Sequence, residues 1–171
     1  MRLINYVNYS SNNESVAITM RIIRESEYLM LESNRHDSVI AEASEQFPRN
    51  SEGSVVRLKN GDLLVAWSAF EGGIHDDTEA HIRACISSDD GDTWGESFVL
   101  LENTAAQNTM SVSFLRESSG ALLMSVLEKQ SPTECNLVVR KALREPFIWS
   151  RPTRVTQSPG YYVMNNDRLY E

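Results

Sequence analysis

The chain has 171 residues, and its 24 acidic against 16 basic side chains give a formal net charge of −8. That balance, with no basic stripe, argues against nonspecific nucleic-acid binding. Its two cysteines, Cys85 and Cys135, match no zinc spacing and read as packing residues, so neither a metal nor a disulfide is expected.

Residues 1–40 read as a leader. After the first six residues a polar run extends to Ser15, with no apolar signal core and no membrane-spanning stretch, so the default expectation is a cytoplasmic chain with no membrane contact. Residues 10–15 are poor in apolar side chains and read as disordered. Residues 16–23 can form a lone strand, of the kind that closes a ring of sheets by completing the last one.

From residue 41 onward the chain repeats itself. Residues 54–65, SVVRLKNGDLLV, align without a gap with residues 113–124, SFLRESSGALLM, at an offset of 59. In each copy a strand ending in Arg enters a short turn closed by Gly, and an apolar strand follows. The loop after the first copy, residues 71–78, runs Glu-Gly-Gly-Ile-His-Asp-Asp-Thr. Residues 81–86 then alternate polar and apolar as a half-buried strand does, and residues 97–101 form a second short apolar run. Between them stands S-x-D-x-G-x-T-W, residues 87–94. Asp89 can accept from the amides just ahead of it, Gly91 can take a positive φ, and Trp94 can fold back onto the base of the hairpin. Ser87 and Thr93 complete this structural motif. It lacks the twelve-residue spacing and closing Glu of an EF-hand calcium loop.

Trp149 answers Trp94 at an offset of 55, although the second motif has decayed to residues 142–149, and the loop preceding it is four residues shorter. Residues 164–169 then begin a third copy. A period near 55 residues with four strands per unit is that of a β-propeller. The expected fold is therefore all-β, with units at about residues 50–103 and 104–160 and the start of another at 161–171. A closed ring needs roughly 220 to 440 residues. The chain reads as about two and a half blades of a larger propeller whose open edges can self-associate. A small complete β-sandwich is the alternative.

In a propeller, ligands bind where the innermost strands converge. The offsets place Glu52, Ser111 and Asn166 at equivalent inner positions, with Arg49, Asn50, Asn108, Met110, Asn165, Asp167 and Arg168 around them. So many polar groups at these places point to a polar ligand.

Residues 47–54, the Gly72-Gly73 loop, the S-x-D-x-G-x-T-W motif and residues 160–168 together resemble the sialidase-like glycoside hydrolases, whose hairpin turn of that pattern is the Asp box. The resemblance covers about residues 40–171. It implies six blades, a carbohydrate ligand held at its non-reducing end, no cofactor, and three arginines on the sugar carboxylate. Arg49 matches the first of these by position, with Phe-Pro-Arg-Asn in place of the usual Phe-Arg-Ile-Pro. It also implies an aspartate acid/base on the first long loop, for which Asp76 is the choice and Asp77 the substitute, while His75 reads as exposed loop. Glu52 can orient a hydroxyl, steer Arg49 or pair with it. The family's tyrosine nucleophile and later arginines would lie beyond residue 171, so these 171 residues alone are expected to be inactive. Tyr161 and Tyr162 read as packing or rim aromatics. The expected function is exo-hydrolysis of a terminal sugar, acidic (sialic acid included) or neutral. The alternatives are a noncatalytic carbohydrate-binding propeller and a truncated, inactive remnant.

Overall fold

The computed structural model describes residues 2–9, 16–23, 37–164 and 169–171. The described residues form strands without any helix. β1 (Arg2–Tyr9), β2 (Val16–Ile23) and β3 (Asp37–Ala41) make an antiparallel group in which β2 is central, so the strand over residues 16–23 does not stand alone. A parallel bridge from Val16 to Arg49 joins this group to the first of two antiparallel meanders. That meander runs β4 (Arg49–Arg57), β5 (Leu63–Phe70), β6 (Ala80–Ser87) and β7 (Phe98–Leu101). The second runs β8 (Asn108–Arg116), β9 (Leu122–Ser131) and β10 (Glu134–Arg144), with β11 (Ile148–Trp149) and β12 (Thr153–Arg154) both paired to β10. Residues 10–15, expected to be disordered, lie outside the described residues, as do Asn165, Asn166, Asp167 and Arg168.

β5 is buried at every position because both of its faces are covered. Leu64 and Ala66 meet Val112, Phe114, Leu122, Met124 and Val126 of the second meander in the core between the sheets. Val65, Trp67 and Ala69 pack on the other side with Cys85, and Ile40, Phe47 and Trp94 cover them. A continuous apolar run is what a strand buried on both faces requires.

The repeat extends to the backbone. Each inner strand carries a register shift, between Ser51 and Ser54 in β4 and between Met110 and Ser113 in β8. Within them Glu52 and Ser111, 59 positions apart, have φ of 58° and 57°. Left-handed backbone at a non-glycine residue is uncommon, and its recurrence at one repeat position marks a built β-bulge.

The turn over residues 87–94 closes on its own side chains. Asp89 accepts from the Thr93 amide at 2.9 Å and the Thr93 hydroxyl at 2.5 Å, and the Ser87 hydroxyl donates to it at 2.7 Å. Ser87 Oγ also accepts from the Gly91 amide at 2.8 Å, and Gly91 takes a φ of 93°. In the second meander the corresponding segment has lost this set but keeps one link. Arg57 donates to Asp90, and Arg116, its counterpart, binds both carboxylate oxygens of Glu145. Glu145 also accepts from the Lys59 amide at 3.2 Å, tying the second meander to the first. Its carboxyl is held below the usual range, chiefly by the Arg116 hydrogen bonds.

The hydrogen bonds from Thr93, then that from Ser87, hold the Asp89 carboxyl down to about 2. An unfolded carboxyl titrates near about 4, so this contribution to stability is complete above that pH and is lost as pH falls through the folded value. Asp89→Asn is expected to melt lower than wild type at neutral pH and to show a flatter acid limb between about pH 4 and about pH 2. Melting curves across that range check it; an acid limb of unchanged steepness would show that the turn does not depend on the ionised carboxylate.

Candidate functional site

The connection between β5 and β6 is a closed loop at one end of the sheets. The Glu71 amide donates to Glu79 O at 2.9 Å, and the Thr78 amide to His75 O at 3.0 Å. Gly72 has a φ of 72°. At Gly73 an added Cβ would lie 2.7 Å from Thr78 Oγ1, so both glycines are needed for the loop to fold back on itself.

Arg49, at the start of β4, reaches into this loop. Its Nη1 donates to Asp76 Oδ1 at 2.6 Å and to Ile74 O at 3.1 Å, its Nε donates to Ser51 Oγ at 3.0 Å, and its Nη2 pairs with Glu52 Oε1 at 3.4 Å. The guanidinium lies 4.1 Å over the Phe70 ring, an arrangement favoured by the ring quadrupole. Two carboxylates thus share one arginine, unequally. The Asp76 side chain is 63% exposed, while that of Glu52 is 21% exposed and also accepts from the Ser68 hydroxyl and the Ser111 amide.

The second meander holds the loop from the other side. Asn108 Nδ2 donates to Asp76 O and Thr78 O, each at 2.8 Å, Lys129 Nζ donates to Asp76 O at 2.8 Å, and Gln107 Nε2 donates to Asp77 O at 3.2 Å. Asp76 is therefore fixed at its main chain by one sheet and at its carboxylate by the other.

Not every candidate joins this cluster. Asn50 is buried, with its amide nitrogen donating to Glu42 O and its oxygen accepting from Trp67 Nε1, which leaves its side chain committed to the fold. Ser111 is buried too, and its amide donates to Glu52 and Ser68. Met110 lies in the core with Phe70, Leu127 and Cys135. Asp77 and His75 are exposed. Tyr161 covers Lys129, its ring centroid 5.5 Å from Nζ, and Tyr162 donates to Ser158 O. Much of the polar crowding at the inner positions is thus protein bonding to protein.

Lys129, Gln107 and Ser68 were not singled out by sequence reasoning. The signal for Lys129 was available: at the offset of 59, Arg49 paired with Phe70 becomes Asn108 paired with Lys129. The cation has changed strands while staying at the same end of the sheet. Cys135 faces Lys129 across the next strand pair, and burial pushes its thiol up to about 11 despite the nearby ammonium. Cys85 and Cys135 are both free and buried. Among the described residues no group of three or more His, Cys, Asp or Glu is placed to hold a metal. A cavity of about 510 Å³ lies at the opposite end of β5, lined by Leu58, Lys59, Ala142 and Phe147 among others, away from the candidate residues.

No family model and no curated protein matches the chain. Among solved structures, a protein of unknown function from Dyadobacter fermentans is similar, at 17% identity and a TM-score of 0.55, over 73% of this chain and 42% of that one. Two sialidase structures from Trypanosoma rangeli also match. The complex with the inhibitor DANA is 18% identical, with a TM-score of 0.45, over 72% of this chain and 22% of that one. The covalent intermediate with 2,3-difluorosialic acid is 14% identical, with a TM-score of 0.48, over 90% and 25%. The chain spans less than half the length of each of these proteins, and the first similarity is one of fold.

If Asn108 clamps the loop as its two hydrogen bonds indicate, Asn108→Ala should leave two main-chain carbonyls without that donor, at a cost of about 1–3 kcal/mol. Hydrogen exchange of the residue 71–79 amides should accelerate in this variant more than exchange in β9. Equal acceleration throughout both sheets would mean that Asn108 supports the fold generally and not the loop.

Proposed function

We propose that this chain is part of a sialidase-like, six-bladed β-propeller, with residues 50–103 and 104–160 as two blades, residues 161–171 opening a third, and residues 1–40 as a leader that supplies a closing strand. Its activity on this reading is exo-hydrolysis of a terminal sugar. The observation that carries the reading is the Arg49–Asp76 ion pair at 2.6 Å, which unites the proposed ligand-binding cation and the proposed acid/base at one end of the inner strands. The matching bulges at Glu52 and Ser111 support the blade repeat. Leu64 is fully buried between the sheets, while its repeat partner Leu123 is only half-buried on the face turned away, as expected if another blade or a second copy covers it.

In this mechanism Arg49 receives the carboxylate of an acidic sugar in place of Asp76. Asp76, released from the guanidinium and shielded by the bound sugar, then carries a proton and delivers it to the leaving oxygen. Glu52, held by Ser68 and the Ser111 amide, keeps the guanidinium in place. Asp77 is the alternative donor on the same loop, and Asn165, Asn166, Asp167 and Arg168 are the proposed neighbouring contacts at the next inner positions.

One observation favours a second reading, a noncatalytic carbohydrate-binding propeller: Asp76 is tied at both its main chain and its carboxylate, an arrangement better suited to holding a loop than to moving a proton. Calorimetry with N-acetylneuraminate and a panel of neutral glycosides, together with release assays on aryl glycosides by the natural protein, separates the two. Hydrolysis lost in Asp76→Asn with binding retained marks the enzyme; binding that needs Arg49 without any hydrolysis marks the lectin-like form. Arg49→Ala is expected to weaken binding of the acidic sugar by about tenfold or more. Undiminished binding by Arg49→Ala would sink both readings.

A further inference from the structure

Lys129 is 5% exposed. Its ammonium donates to Asp76 O and lies 5.5 Å from the Tyr161 ring centroid, and no carboxylate among the described residues forms an ion pair with it. A buried ammonium without a counter-anion is costly, and a lysine has three protons to donate. Beside it stands a second unmet need. Asn108, fully buried and directly opposite Lys129 in the β8–β9 pairing, leaves its Oδ1 without a hydrogen-bond partner, and the neighbouring Gln107 Oε1 is buried and unpartnered as well. Asn108 Nδ2 and Lys129 Nζ bind the same carbonyl, Asp76 O, so the two side chains lie within reach of one small ligand.

Packing does not account for a lysine here. At the equivalent position in the first meander stands Phe70, fully buried among Ala80, Met110 and Leu127. Burying an ammonium instead of a ring gives up apolar contact, and an unpaired buried charge is strongly destabilising compared with an apolar replacement.

We propose that Lys129 is a ligand contact of this mouth: it binds the anionic group of a small polyhydroxylated acid, whose hydroxyls donate to Asn108 Oδ1 and Gln107 Oε1, with Tyr161 as the cover. The chemistry required is a carboxylate or phosphate next to hydroxyl groups. The inference rests on the carbohydrate reading for the hydroxyls, and on Lys129 itself for the anion. Arg49, on the other side of Asp76, takes up an anion only by giving up Asp76, whereas Lys129 pairs with no carboxylate among the described residues and offers the anion an open seat. The mouth therefore has a vacant demand for negative charge on the side of the second meander.

The test is thermal melting of the full chain as wild type, Lys129→Met and Lys129→Arg, alone and with N-acetylneuraminate, glucuronate, inorganic phosphate or methyl glucoside. Lys129→Met is expected to melt higher than wild type without ligand, because an uncompensated buried charge is removed, and to lose the stabilisation that the sugar acids give wild type. Its affinity for the acids should fall by about tenfold or more, with Lys129→Arg retaining part of it. Three results overturn the proposal: no charged probe stabilises wild type, Lys129→Met responds to the acids as wild type does, or Lys129→Met melts lower without ligand, as a purely structural anchor of the loop would. Stabilisation by phosphate equal to that by the sugar acids, and lost in Lys129→Met, supports the Lys129 site while removing the carbohydrate reading.

Discussion

The constraint on which this structure turns is the unpaired edge of β8. Among the described residues β8 pairs with β9 on one side alone, so on the other side its amides face the first meander without a strand to receive them. Side chains take the place of that strand. Ser111 N donates to both Glu52 Oε2 and Ser68 Oγ, and Phe114 N donates to Ser54 Oγ at 3.1 Å. At the far end of the same strand Arg116 Nη2 donates to Arg57 O at 2.9 Å. Each such bond contributes about 1 kcal/mol net, but a buried amide left unmet costs about 1–3 kcal/mol, so these links decide how the sheets can sit against one another. The apolar core between the sheets is nondirectional and tolerates sliding; the serines and Glu52 do not.

This explains why so many serines lie in otherwise apolar strands. Ser54, Ser68, Ser111 and Ser113 are buried, and short hydroxyl side chains are what fits between two closely packed inner strands. It also changes the meaning of Glu52. A carboxylate at the inner mouth suggests ligand chemistry, yet one of its hydrogen bonds, from the Ser111 amide, holds the neighbouring sheet, a second ties it to Ser68 of its own sheet, and a third interaction holds Arg49. Its backbone strain belongs to the same device, because the bulge at Glu52 turns its side chain toward the matching bulge at Ser111.

The repeat was legible in the sequence because its signals are local: an arginine at a strand end, a glycine in a turn, a run of apolar residues, a tryptophan closing a hairpin. Those residues act within one meander, so their spacing survives in the text. What could not be read were contacts between meanders. Glu145 looks like debris of a decayed turn, and only the fold brings it to the Lys59 amide of the other meander. Gln107, Asn108 and Lys129 hold a loop more than 25 residues away in sequence, through main-chain carbonyls that carry no residue identity at all. The first long loop, where the acid/base aspartate was expected, met the same obstacle, since nothing in residues 71–78 announces the clamp supplied by the other sheet.

The two meanders agree where they must and diverge where they can. At the turn end, Arg57 and Arg116 bind an acidic side chain and the carbonyl of the turn glycine in both copies. At the mouth end, the cross-strand pair Arg49–Phe70 has become Asn108–Lys129, and the long glycine loop of the first copy has shrunk to a tight turn between Ser131 and Glu134 in the second. The short turn matters physically. A second loop of the first one's length would stand beside residues 71–79 at the same end of the sheets, whereas the trimmed turn leaves room for Gln107, Asn108 and Lys129 to reach across to the loop of the first copy. Loop length in one repeat and side-chain identity in the next therefore form a single design element, and the mouth belongs to the junction of the two sheets.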